Sequence, residues 1–83
     1  DNLIDGRGGA DTVFGGGGND TLIGSSASDV IYGGQGEDSI LGGSGNDCID
    51  GGEGSDVLNG QSGNDVITAG NGNNTVDGGS GND

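Results

Sequence analysis

The chain has 83 residues, 24 of them glycine, with only 25% hydrophobic content and a net charge of −13 in which Arg7 is the sole base. So acidic a chain repels nucleic acid and anionic membranes and attracts cations, and no apolar run is long enough for a membrane span. The composition alone describes a glycine-rich disordered linker, but a strict nine-residue period excludes that reading and, since there is no proline, collagen as well.

The period starts in the tail of a unit, Asp1–Asp5, with Asn2 in the sixth slot and Ile4 in the eighth. Gly6–Phe14 reads GRGGADTVF, with Arg7 in place of the second glycine, and Gly15–Ile23 reads GGGGNDTLI. Gly24–Tyr32 (GSSASDVIY) has the weakest loop, because Ser25 and Ala27 replace glycines. Three clean copies follow without insertion: Gly33–Leu41 (GGQGEDSIL), Gly42–Asp50 (GGSGNDCID) and Gly51–Asn59 (GGEGSDVLN). Gly60–Thr68 (GQSGNDVIT) carries Gln61 at position two, and Ala69–Asp77 (AGNGNNTVD) has Ala69 at position one and Asn74 in the Asp slot. Gly78–Asp83 (GGSGND) is a loop with no strand after it, as expected of a segment of a longer array.

The unit is G-G-x-G-x-D-x-U-x, where U is a large aliphatic. Three glycines in four residues make a tight loop, since glycine reaches backbone angles closed to other residues. The Asp at position six closes the loop with a short carboxylate. Carbonyl and carboxylate oxygens on a flexible loop suit calcium better than a softer metal. Positions seven to nine are expected to be strand, with U pointing to one face and its neighbours to the other.

This pattern resembles the hemolysin-type calcium-binding nonapeptide of the repeats-in-toxin (RTX) family, and the resemblance covers essentially the whole chain. It implies an all-β fold, a right-handed parallel β-roll (a β-solenoid) with two nonapeptides per turn and two short parallel sheets. Residues 1–83 then form a single array in which residues eighteen apart stack. One edge carries Asp11, Asp29, Asp47, Asp65 and Asp83; the other carries Asn2, Asp20, Asp38, Asp56 and Asn74. The resemblance places several Ca²⁺ ions, one between successive loops on each edge, with Asn2 and Asn74 as weaker ligands. Its carbonyl ligands map to the glycine loops, marked by Gly15 and Gly18, Gly33 and Gly36, Gly42 and Gly45, Gly51 and Gly54, and Gly60 and Gly63. The Gly24–Asp29 loop is expected to distort the sites that use it.

The inward residues are expected to be Val13, Ile31, Ile49 and Ile67 on one sheet and Ile4, Leu22, Ile40, Leu58 and Val76 on the other. So few aliphatics cannot order a chain this rich in glycine and acid, so the expectation is an unfolded metal-free chain that folds on calcium. Outward at position nine, Phe14 and Tyr32 fall one turn apart, either as plain strand formers or as a docking patch for a partner. Cys48 points outward without a disulfide partner, Glu37 and Glu53 are solvated, and Arg7 screens nearby acids. Catalysis is not expected: there is no His or Lys base and no partner to activate Cys48.

The family resemblance further implies a secreted or cell-surface bacterial protein exported by type I secretion, with flanking domains of toxin, protease, lipase, adhesin or surface-layer type. A structural self-assembly segment is the alternative. An ice-binding solenoid fits less well, because its outer ladders should be regular and these are not.

Overall fold

The computed structural model describes all 83 residues. It contains β-strands only, nine of them: β1 Leu3–Asp5, β2 Thr12–Gly17, β3 Thr21–Ser26, β4 Val30–Gln35, β5 Ser39–Ser44, β6 Cys48–Glu53, β7 Val57–Ser62, β8 Val66–Thr68 and β9 Thr75–Asp77. Odd-numbered strands form a five-stranded sheet in the order β1-β3-β5-β7-β9, and even-numbered strands a four-stranded sheet, β2-β4-β6-β8. All pairings are parallel and join residues eighteen apart, as in Ile4↔Leu22, Leu22↔Ile40 and Ile40↔Leu58. Two nonads therefore make one coil of a β-solenoid. The smallest extent of the molecule is 12 Å, close to the separation of about 10 Å between two sheets packed face to face.

The core is the column of position-eight side chains. Val13, Leu22, Ile31, Ile40, Ile49 and Leu58 are all buried, with Ile4 and Ile67 packed against them. Val76, expected inside, pairs in register with Leu58 and is 49% exposed on β9, the edge strand of its sheet. The sheet faces alternate strictly, so Phe14 and Tyr32 share an outer face and stack, with ring centroids 5.0 Å apart and planes 9° from parallel. Cys48 is exposed, as its position-seven slot requires.

Most strands run three residues further than the sequence pattern predicts, into the glycine loop. Gly16 pairs with Gly34 and Gly34 with Gly52, so the loop backbone stays in turn-to-turn register. This holds although position two has positive φ throughout. The four non-glycine residues with positive φ are Arg7 (68°), Ser25 (90°), Ala27 (75°) and Gln61 (72°). Each stands where the repeat would have glycine at position two or four. The coil thus imposes the left-handed conformation whatever residue occupies the slot, at a cost of order 1–3 kcal/mol each.

Candidate metal centre

Each position-six carboxylate is used in two ways. Its Oδ1 accepts the main-chain N–H of the position-six residue one coil earlier. The amides of Asp20, Asp29, Asp38 and Asp47 donate to Asp38 Oδ1 (2.9 Å), Asp47 Oδ1 (2.8 Å), Asp56 Oδ1 (2.9 Å) and Asp65 Oδ1 (2.8 Å). At the ends of the columns, Asn2 donates to Asp20 Oδ1, Asp11 to Asp29 Oδ1 and Asp65 to Asp83 Oδ1. The sequence reading anticipated the two columns but not this continuous ladder.

The second oxygen has no partner. Oδ2 of Asp11, Asp20, Asp29, Asp38, Asp47, Asp56 and Asp65 is buried and accepts no hydrogen bond. Six of these residues, from Asp20 to Asp65, are at most 2% exposed. A buried carboxylate oxygen without a donor or cation is costly, and a stack of them adds like-charge repulsion. Burial pushes the carboxyls of Asp38 and Asp47 above the ordinary range. The main-chain hydrogen bond opposes that rise, and the charges of Asp56 and Asp20, or of Asp65 and Asp29, add to it.

The surroundings of Oδ2 are shaped by position-one glycine. A Cβ at Gly15 would lie 2.6 Å from the Gly33 carbonyl oxygen and 2.9 Å from Asp20 Oδ2; at Gly51 it would lie 2.8 Å from the Ala69 oxygen and 2.7 Å from Asp56 Oδ2. Each orphaned oxygen therefore lies against the position-one glycine of its own loop, and the position-one carbonyl oxygen of the next coil faces the same space, which a side chain would fill. No three acidic or sulfur side chains converge on one point. Any ion held here takes most of its six to eight oxygen ligands from backbone carbonyls. The residues present fit a hard divalent cation.

The Gly24–Asp29 loop, expected to be distorted, keeps the same geometry. Asp29 is 1% exposed and both ladder bonds through it measure 2.8 Å, because Ser25 and Ala27 adopt the positive φ of the glycines they replace. Arg7 does not screen the acids by pairing: the one ion pair joins the amino terminus to Asp20 Oδ1 at 4.0 Å.

A further ladder and a set of local turns escaped the sequence reading. At position five, Asn19 Oδ1 accepts the Glu37 N–H, Ser28 Oγ that of Asn46, Asn46 Oδ1 that of Asn64, and Asn64 Oδ1 that of Asn82. The recurrence of Asn at that slot was the available signal. At position nine, Asp5, Asp50, Asn59 and Asp77 each accept the N–H two residues on, the Asx-turn geometry that supports the left-handed residue at position two.

The family model of the RTX calcium-binding nonapeptide repeat matches this chain in four copies, over residues 1–22, 14–49, 23–58 and 50–83. Neither curated proteins nor solved structures gave a match. With the matches spanning the whole chain, and an eighteen-residue coil that lines both edges with orphaned aspartate oxygens, the chain belongs to the RTX calcium-binding nonapeptide repeat family and is a calcium-binding repeat module.

Proposed function

We propose that this module folds on calcium and serves a secreted bacterial protein as a segment that stays unfolded until it reaches calcium outside the cell. The observation that carries the reading is the row of seven buried, unpartnered Asp Oδ2 atoms. Ions along the Asp11–Asp29–Asp47–Asp65–Asp83 edge and the Asp20–Asp38–Asp56 edge neutralise charge that the metal-free coil would have to bury. The glycine-loop carbonyls, from Gly15 to Gly18, Gly33 to Gly36, Gly42 to Gly45, Gly51 to Gly54 and Gly60 to Gly63, complete each shell. Six buried aliphatic side chains are a small core for 83 residues, and a ligand that binds only the folded form supplies the rest.

Millimolar extracellular calcium matches the weaker class of sites, and repeats of this family are typical of secreted bacterial proteins, the export context in which such a switch is useful. The role is binding rather than catalysis: the carboxylates repeat at every level of the coil, and none is set apart with a base or nucleophile. Far-UV circular dichroism in excess EGTA and in millimolar calcium tests the proposal. A β-rich spectrum is expected only with calcium, and a spectrum indifferent to EGTA refutes it.

A further inference from the structure

The Ala69–Asn74 loop departs from its neighbours in two linked positions. Ala69 puts a Cβ at position one, where every other loop has glycine. Asn74 stands in the slot held elsewhere by Asp, apart from Asn2. Asn74 Oδ1 keeps the ladder bond, accepting the Asp56 N–H at 2.8 Å. That bond fixes the orientation of the carboxamide, since the reverse would set two N–H groups against each other. Nδ2 therefore occupies the place of the orphaned carboxylate oxygen, and it is not orphaned. It donates to the carbonyl oxygens of Ala69 at 3.1 Å, Gly70 at 3.4 Å and Asn71 at 3.4 Å.

Three carbonyls of one loop thus converge on a single neutral N–H donor group. Ligand oxygens around a calcium ion, at about 2.4 Å from the metal, lie about 3.4 Å from one another. A carboxylate oxygen in the place of Asn74 Nδ2 would meet these carbonyls at a ligand spacing, with only repulsion between them until a cation entered. The amide resolves the same crowding by itself, without charge.

We propose that the Asn74 carboxamide replaces the cation in its own loop, so that Ala69–Asn74 is a metal-free level of the array, closed by hydrogen bonds. This rests on the calcium reading given above. Ala69 is its companion. A Cβ at the corresponding Gly60 or Gly78 would collide with the carboxylate of Asp65 or Asp83, so alanine belongs with the loop that keeps no ion.

The test counts ions by native mass spectrometry of the 83-residue chain at saturating calcium. Asn74→Ala should bind as many ions as wild type while melting at a lower temperature. The double variant Ala69→Gly/Asn74→Asp should bind one more and melt with a stronger dependence on calcium. Loss of one ion in Asn74→Ala would show Asn74 to be a ligand and overturn the inference, as would a folded double variant with no additional ion. A wild-type chain that binds no calcium refutes the proposed function and this inference with it, whereas the preceding outcomes refute this inference alone.

Discussion

Asp47→Asn should change the stability of the metal-free and calcium-loaded chains in opposite directions. Asp47 is flanked along its edge by Asp29 and Asp65, and all three are buried. Adjacent parallel strands lie about 4.8 Å apart. Two unit charges at about 4.8 Å repel by about 3.5 kcal/mol at an effective dielectric of about 20. Salt screens such buried charges little, so two neighbours together cost up to about 7 kcal/mol. Asparagine removes that term and keeps Oδ1 as acceptor for the Asp29 N–H, and its amide can turn to the loop carbonyls as Asn74 does. In EGTA the variant should therefore fold more readily, needing less trimethylamine N-oxide to reach a β-rich spectrum. In calcium it loses a charged ligand, and the midpoint of the calcium titration should rise about tenfold or more, equivalent to at least about 1.4 kcal/mol. If Asp47→Asn destabilises the chain equally in EGTA and in calcium, the carboxylate is only a hydrogen-bond acceptor and the electrostatic argument fails.

Acid should favour the metal-free roll. The carboxyls of Asp38 and Asp47 are raised in the folded form by burial and by their column neighbours, so the folded chain binds protons more tightly than the unfolded one. Their destabilisation is complete above the raised values and vanishes below the ordinary carboxyl value near about pH 4. Circular dichroism in EGTA should gain β signal as pH falls through that window, while calcium affinity falls because protons compete for the same oxygens. Ile40→Ala, in a fully buried slot of the core column, should cost about 2–5 kcal/mol in calcium-loaded denaturant melts. Gln61→Gly and Ala27→Gly relieve positive φ and should each raise the calcium-loaded stability by about 1 kcal/mol; a loss at either position would show that the side chain makes a compensating contact. Asn46→Ala removes the acceptor for the Asn64 N–H and should cost about 1 kcal/mol in the same melts.

The coil length, the two sheets and the six-residue core were legible in the sequence because they depend on period alone. A nine-residue unit with one aliphatic at position eight can bury that residue only by stacking, and Leu22, Ile31, Ile40 and Ile49 lie where that logic puts them. Val76 keeps the predicted register, opposite Leu58 in the position-eight column, while its burial depends on neighbouring coils that a local pattern does not contain. The Gly24–Asp29 loop was misjudged. Propensity disfavours positive φ at Ser25 and Ala27, but hydrogen-bonded coils on both sides enforce it. The Asp columns were visible, but the division of labour between Oδ1 and Oδ2 was not, since it depends on the distance between one coil and the next.

That division explains which substitutions the position-six slot admits. Oδ1 joins one coil to the preceding one, and the second terminal atom settles how the loop is neutralised. The two functions sit on one planar group, so a residue must offer both atoms at the same reach. Aspartate does so with a charge that calls for a cation, and asparagine with a donor that does not, which is why Asn74 continues the ladder at 2.8 Å without leaving a buried atom unpaired. Serine could offer an acceptor but nothing in place of the second atom, and glutamate would carry both atoms a methylene too far for a cradle already tight enough to exclude a Cβ at Gly51. On the proposed function, the same geometry would couple metal to folding level by level. An ion bound at the carboxylate of Asp47 would also fix the acceptor for the Asp29 N–H, and so hold the register of the coil on which the next ion depends.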